Sequence, residues 1–178
     1  MPGIILTFDT ESNKIIKDIY NNINNNENLI NIDSTPHISL MRIHKEFDQD
    51  DINLIDKNIE NISKNFKNLD IKIEGIGYFK NKNDKFVLFF IPVYDENMQK
   101  IHKYLWKLIE KKIKLLDENH YSPLNFSPHI TIPMNDNNKN NLLKILNLLS
   151  DVNTRISIKT NEIAFIDSNK IYTSKKLK

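Results

Sequence analysis

The chain has 178 residues, of which 39% are hydrophobic and 27% are charged, a composition typical of one globular domain. It contains no cysteine, which excludes disulfides, thiolate metal sites and a cysteine nucleophile. The net charge of +2 predicts no strong attraction to nucleic acid or to a membrane, so any anion site must be local. No apolar run is long enough for a signal peptide or a membrane span. We therefore expect a single domain over residues 1–178, located in the cytoplasm.

The first half of the chain predicts two strands and two amphipathic helices. The apolar run Ile4–Phe8 fits a buried strand, and isoleucines at helical spacing predict a helix from about Glu11 to Asn25. A second strand is predicted over residues 36–40. Asp50 or Asp51 is expected to cap a second helix. The apolar residues of that helix alternate in steps of three and four: Ile52, Ile55, Ile59, Ile62 and Phe66.

The second half predicts five more strands and two more helices. Ile71–Tyr78 and Phe86–Val93 form an expected hairpin, and Asp95 is expected to cap a third helix. The remaining predicted elements are a strand over 128–132, a helix over about 138–149, strands over 155–159 and 162–166, and a short segment ending at Tyr172.

This order of elements divides into two comparable halves. It favours an α+β fold with two antiparallel sheets that face each other across a central cleft, and with the helices outside. The interface of two such lobes is where a ligand is expected to bind.

Two short stretches are nearly identical, and each half contains one of them: Pro36-His37-Ile38-Ser39-Leu40 and Pro128-His129-Ile130-Thr131-Ile132. Each reads proline, histidine, apolar, hydroxyl, apolar. Successive side chains of a strand point to opposite faces. Each stretch therefore presents an imidazole and a hydroxyl on one face and an apolar surface, suited to burial, on the other.

Two histidines on facing strands are suited to general acid–base catalysis. Imidazole can accept or donate a proton near neutral pH, and the hydroxyls of Ser39 and Thr131 can donate hydrogen bonds to a developing negative charge. A phosphodiester fits this chemistry, because its cleavage needs one proton removed and one delivered. No carboxylate or third histidine stands at ligand spacing to either stretch, so we predict neither a metal nor another cofactor.

The paired stretches, about ninety residues apart, resemble those of the 2H phosphoesterases, and most closely the branch of 2′-5′ RNA ligase-like proteins, or RNA 2′,3′-cyclic phosphodiesterases. The central hairpin of that family is similar to residues 73–79 followed by the strand 86–92. Its closing strand and tail are similar to residues 162–166 with Ser168 and Tyr172. The resemblance implies a two-lobed fold and metal-free phosphodiester chemistry. It places His37, Ser39, His129 and Thr131 on the catalytic positions.

Several other side chains are weaker candidates for the site. Aromatic rings can stack on a nucleobase. We therefore predict four substrate-binding aromatic residues: Tyr78, Phe79, Tyr121 and Phe126. Packing in the core explains each of them equally well. Alternation along the strand places Arg42 behind His37, away from a phosphate. Of the other histidines, His44 is expected at the surface, His102 in the core and His120 at the rim of the site.

The sequence therefore predicts hydrolysis of a nucleotide phosphodiester, either a 2′,3′-cyclic phosphate or a 2′-5′ linkage. Two alternatives within the same class are the destruction of cyclic or 2′-5′ oligonucleotide immune signals, as in viral or phage counter-defence, and exonuclease trimming of RNA 3′ ends. A non-catalytic nucleotide-binding module is less favoured, because both pairs of histidine and hydroxyl are intact. The expected partner is a nucleotide or oligonucleotide, with no membrane and no obligate protein partner.

Overall fold

The computed structural model describes residues 2–24, 27–44, 46–81, 83–93, 95–110, 112–116, 118–168 and 170–178. The strands in these ranges are β1 (Pro2–Phe8), β2 (His37–Arg42), β3 (Asp70–Lys80), β4 (Phe86–Pro92), β5 (Ile130–Ile132), β6 (Ile156–Asp167) and β7 (Lys170–Lys176). The helices are α1 (Thr10–Asn24), α2 (Gln49–Asn65), α3 (Glu96–Ile109), α4 (Glu118–Tyr121) and α5 (Lys139–Ser150). None of these helices has the length and apolar character needed to cross a bilayer.

The strands form one antiparallel sheet with the order β1-β2-β5-β4-β3-β6-β7. The long strand β6 serves both halves, because residues 156–159 pair with β3 and residues 160–167 pair with β1. On the other side the halves meet where Ile38 of β2 pairs with Ile130 of β5. The predicted α+β fold is confirmed, and its two facing sheets are halves of a single hydrogen-bonded sheet.

Some predicted boundaries differ from the structure. The strands predicted over 155–159 and 162–166 are one strand, β6. Thr160 pairs with Phe8 of β1, and the Asn161 carbonyl accepts from the Leu177 N–H just after β7, so the two residues between the predicted strands continue the sheet. The one-turn helix α4 was not expected from the sequence. Asp48, rather than Asp50 or Asp51, caps α2, and Asp51 completes a capping box with it.

A continuous apolar core lies between the sheet and the helices. Tyr20 of α1 is fully buried there, stacks on Phe90 of β4 with ring centroids 6.4 Å apart, and donates a hydrogen bond of 3.0 Å from its hydroxyl to the Thr131 carbonyl. A buried tyrosine hydroxyl needs such a partner. The bond therefore ties the first helix to the backbone of the second histidine stretch.

Candidate active site

The two histidine stretches lie on the neighbouring strands β2 and β5. Ile38 and Ile130 are directly opposite each other and 0% exposed, so both point into the core. The residues on either side of each isoleucine point to the other face. The structure therefore brings the four predicted residues together on one face: His37, Ser39, His129 and Thr131. Antiparallel register places His37 next to Thr131, and Ser39 next to His129.

Both imidazole rings are held in the same way. The Nδ1 atom of His37 lies 2.9 Å from the Thr35 carbonyl oxygen, and the Nδ1 atom of His129 lies 3.0 Å from the Ser127 carbonyl oxygen. A carbonyl only accepts, so each Nδ1 carries a proton. Each Nε2 is then the atom that exchanges a proton with a ligand. The proline before each histidine has no N–H and favours the extended backbone that leads into these strands.

The surroundings of both rings favour the neutral imidazole. Burial lowers the pKa of His37, the hydrogen bond to Thr35 opposes this shift, and the Arg42 cation lowers the pKa further. Burial also lowers the pKa of His129, against the hydrogen bond to Ser127. Three cationic or imidazole groups then add to the lowering at His129: His120, Arg42 and His37.

Arg42 lies on the catalytic face, in contrast to the prediction that placed it on the back of β2. It is opposite Gly3 of β1, and it lines the cavities beside both histidines. The reason is a break in the register between β1 and β2, where Ile4 pairs with Met41 but Ile5 pairs with Ser39. This bulge inserts one extra residue and inverts the alternation. Two consecutive apolar side chains, Leu40 and Met41, are buried as a result.

Two phenylalanines lie beside His129, whereas no described aromatic ring contacts His37. The Phe89 ring lies 5.0 Å from the His129 ring between centroids, and Phe79 lies 6.2 Å from it in an edge-on arrangement. Gly77 of β3 lies opposite Phe89 of β4 and makes room for the Phe89 ring, since a Cβ at residue 77 would come within 2.7 Å of that ring. Phe89 was missed in the sequence; its position on β4, alternating with the buried Leu88 and Phe90, is the signal that could have identified it.

The four predicted substrate-binding aromatics occupy different places. Phe79 and Tyr121 line the cavity beside His129, although Tyr121 is only 4% exposed. Tyr78 is 56% exposed and contacts Phe86, because alternation turns it away from the face that carries Phe79. Phe126 packs against the core, where its ring stacks on His102 at 3.7 Å. Tyr78 and Phe126 are not among the described lining residues of the cavities at the two histidines, and their role in substrate binding stays a prediction.

The three remaining histidines lie where the sequence placed them. His120 lines the cavity beside His129, at the rim of the site. His102 is fully buried on α3, which lowers its pKa to about 4. His44 lies beyond the end of β2, with its Nδ1 atom 3.7 Å from the Glu46 carboxylate. Among the described residues, no three histidine, aspartate or glutamate side chains lie close enough together to hold a metal ion.

The family model that matches this sequence is described as the 2′-5′ RNA ligase superfamily, and the match spans residues 33–171. The chain belongs to the 2′-5′ RNA ligase superfamily. The matched range contains both histidine stretches, and it confirms the resemblance to the 2H phosphoesterases. This superfamily consists of phosphoesterases and RNA-processing enzymes, so membership supports the prediction that the protein is an enzyme. No curated protein matches the chain in sequence.

Solved structures share the fold of this superfamily member at low sequence identity. The structure of TT0787 from Thermus thermophilus is 12% identical, with 99% of this chain and 97% of that chain covered and a TM-score of 0.69. Escherichia coli LigT in complex with 3′-AMP is 10% identical, with 99% and 94% covered and a TM-score of 0.60. Usb1 of Kluyveromyces marxianus is 10% identical, with 99% and 97% covered and a TM-score of 0.53. At these identities the likeness shows the shared fold alone.

Two large cavities adjoin the histidine pair of this 2′-5′ RNA ligase superfamily member. The first, of about 510 Å³, is beside His129 and Thr131. The second, of about 570 Å³, is beside His37. A smaller cavity of about 230 Å³ lies next to His37, Ser39 and Arg42. Both large cavities fall in the size range of ligand-binding pockets, and the paired histidine stretches lie between them.

Proposed function

We propose that this protein is a phosphodiesterase that hydrolyses a nucleotide phosphodiester, with His37 and His129 as its general acid–base pair. One observation carries the proposal: two imidazoles with carbonyl-bound Nδ1 atoms share one sheet face with Ser39 and Thr131. The substrate bond is a 2′,3′-cyclic phosphate or a 2′-5′ linkage. Two alternatives with the same chemistry are the hydrolysis of cyclic or 2′-5′ oligonucleotide signals and the trimming of RNA 3′ ends.

The reaction exchanges one P–O bond for another. A neutral histidine accepts a proton at Nε2 from the attacking water or hydroxyl, while the new bond to phosphorus forms. The other histidine, protonated, donates the Nε2 proton to the leaving oxygen as the old bond breaks. Ser39, Thr131 and Arg42 stabilise the charge on the remaining phosphate oxygens by hydrogen bonds, of which the guanidinium's are the strongest.

Two solved structures of similar fold support a nucleotide as the ligand. LigT was solved with 3′-AMP, and Usb1 of Kluyveromyces marxianus with uridine monophosphate; the latter is 11% identical with a TM-score of 0.52. The cavity beside His129 offers an aromatic ring, Phe79, and the Arg42 guanidinium, with Lys80 nearby in an ion pair with Asp84. A base can stack on such a ring while its phosphate approaches the guanidinium.

The test is an assay of the purified protein in EDTA against a substrate panel. The panel holds a nucleoside 2′,3′-cyclic phosphate, 2′-5′ and 3′-5′ oligoadenylates, cyclic di- and trinucleotides, and a short RNA. We expect cleavage of at least one member, and its loss in His129→Ala. His44→Ala is the matched control, because His44 lies outside the described cavities, and it should keep full activity.

Two outcomes would overturn the proposal. Full activity of the His129→Ala protein would show that the chemistry lies elsewhere. Saturable binding of a panel member without turnover would instead favour a nucleotide-binding module.

A further inference from the structure

The two large cavities beside the histidine pair carry opposite charge. The cavity beside His129, here called the basic cavity, is lined by Arg42, Lys80 and His120. Lys80 is ion-paired with Asp84 at 2.6 Å, so Arg42 supplies most of the positive charge. No carboxylate is among the described lining residues of this cavity. The cavity beside His37, here called the acidic cavity, is lined by Asp33 and Glu162, and its described lining contains no lysine or arginine. A substrate that occupies both cavities therefore meets a change of sign at the histidines.

Glu162 faces the same side of the sheet as His37. Thr7 of β1 pairs with His37 on one side and with Glu162 of β6 on the other, so these residues form one row across three strands. Neighbouring strands are about 4.8 Å apart, which places the Glu162 backbone roughly 10 Å from that of His37. This separation suits a ligand that has its phosphate at the histidines and its ribose or base at Glu162.

Asp33 enters the acidic cavity from a loop that is fixed to the second histidine stretch. The Asn31 N–H donates to the Pro133 carbonyl at 2.8 Å, and Ile30 pairs with Met134. The Asp33 N–H in turn donates to the Asn31 side-chain oxygen at 3.1 Å. The carboxylate is thus held on an anchored turn, four residues before His37.

Neither carboxylate has a salt-bridge partner among the described residues. Lys176 lies across from Glu162 on β7 but does not line the cavity. An ionised carboxylate only accepts hydrogen bonds. The acidic cavity therefore favours hydroxyl or amino groups and repels phosphate.

The acidic cavity also has an apolar wall suited to a base or ribose. Ile5, Ala164 and Ile166 line it from β1 and β6, and Ile171 adds an exposed side chain from β7. Ligand sites commonly combine such an apolar lining with a few placed polar groups. The lining thus matches a nucleoside better than a free anion.

We propose that the acidic cavity is a subsite for an uncharged terminal nucleoside, and that the basic cavity takes the phosphate-bearing continuation of the chain. The preferred substrate is then an oligonucleotide or dinucleoside phosphate whose end carries free hydroxyls. This inference rests on the proposed phosphodiesterase function. It adds to that function a division of the substrate between the two cavities and a rejection of one phosphorylated end.

The test compares an unmodified dinucleoside monophosphate with the same molecule phosphorylated at its 5′ end or at its far 3′ end. We expect the wild-type protein to cleave the unmodified form about tenfold or more faster than one of the two phosphorylated forms, because like charges in a cavity repel strongly. Asp33→Asn and Glu162→Gln should each reduce this ratio. Asp18→Asn, which removes the same charge from the exposed face of α1, should leave the ratio unchanged. Equal ratios in the wild type and both cavity variants would overturn the subsite.

A binding measurement separates failure of the subsite from failure of the proposed chemistry. Adenosine is titrated into isotope-labelled protein and followed by amide NMR, with adenosine 5′-monophosphate as the charged comparison. We expect adenosine to shift the amides of Asp33, Ser34 and Glu162, and Asp33→Asn to weaken that response. Adenosine shifts at these residues without any turnover would retain the subsite and reject the phosphodiesterase. Turnover with no adenosine response there would do the reverse.

Discussion

His37 and His129 have the same ring geometry on neighbouring strands, but different residues surround them. Each Nδ1 atom bonds to a carbonyl two residues earlier, at 2.9 and 3.0 Å. His37 adjoins a cavity with two carboxylates, whereas His129 packs against Phe79 and Phe89 beside a cavity lined by Arg42. The five-residue stretch thus specifies the orientation of the imidazole ring and the proton on its Nδ1 atom. Segments distant in sequence specify the charged and aromatic residues around the ring. A repeated motif can therefore carry two different tasks.

Removal of either histidine should produce the largest effect. We expect His37→Ala and His129→Ala each to reduce kcat about 10²- to 10⁴-fold, because each removes one of two proton transfers. The double variant should be little worse than either single variant, since groups that act as a unit are not additive. Steady-state kinetics of all three proteins in EDTA tests this. A variant that retains wild-type kcat would show that only one histidine takes part.

Arg42 lines a cavity beside His129 and another beside His37. Its removal should therefore affect both histidines. We expect Arg42→Gln to reduce kcat/KM about 10- to 100-fold, through loss of a charge-assisted hydrogen bond to phosphate. Arg42 lowers the pKa of both imidazoles. One basic and one protonated histidine give a bell-shaped pH profile of kcat/KM. Removal of Arg42 raises both pKa values, so this profile should move to higher pH.

Arg42→Lys keeps the charge and serves as the control for this prediction. It should restore the position of the pH profile but only part of the rate, because lysine lacks the planar two-pronged geometry of arginine. An unshifted profile in Arg42→Gln would place the guanidinium too far from the rings to act on them.

Gly77→Ala should disturb His129 and leave His37 in place. The new Cβ would lie 2.7 and 2.8 Å from two atoms of the Phe89 ring, so the ring must move where it packs against His129. We expect about a tenfold loss of kcat and a destabilisation of about 1–3 kcal/mol. Gly75→Ala is the matched control, since its Cβ would meet only Ile91 at an ordinary 3.7 Å. Equal kinetics of the two variants would show that Phe89 has no part in positioning His129.

The buried His102 should affect stability rather than catalysis. Burial lowers its pKa from 6.5 to about 4 in the folded chain. Between these two pH values His102 is protonated in the unfolded chain but neutral in the folded chain. The contribution of His102 to the free energy of unfolding is therefore complete above pH 6.5 and is lost as the pH falls toward 4. We expect a loss of up to about 3 kcal/mol over that range.

Urea unfolding at several pH values measures this loss. The His102→Phe variant should show a flatter pH dependence of the free energy of unfolding than the wild-type protein. His37 and His129 are among the groups that contribute to the slope that remains. An unchanged slope would show that His102 is not the titrating group.

Local patterns in the sequence predicted the strands of the two histidine stretches and the face that each histidine shares with a hydroxyl. Arg42 was misplaced because strict alternation holds only while the register is regular, and the bulge at Leu40 and Met41 depends on pairing with β1. The consecutive apolar pair Leu40-Met41 was the available signal. Phe126 was assigned to the substrate because its stacking on His102, 24 residues earlier, is a tertiary contact that no local pattern encodes.

The pairing of β1 with β6 also has a consequence for self-association. Since β1 pairs with both β2 and β6, β7 is the strand in the described sheet that has a neighbour on one side alone. Unpaired strand edges promote pairing between molecules, and lysines along an edge discourage it. β7 reads Lys170-Ile171-Tyr172-Thr173-Ser174-Lys175-Lys176, with lysines at both ends. We therefore expect those lysines to disfavour pairing between molecules along this edge.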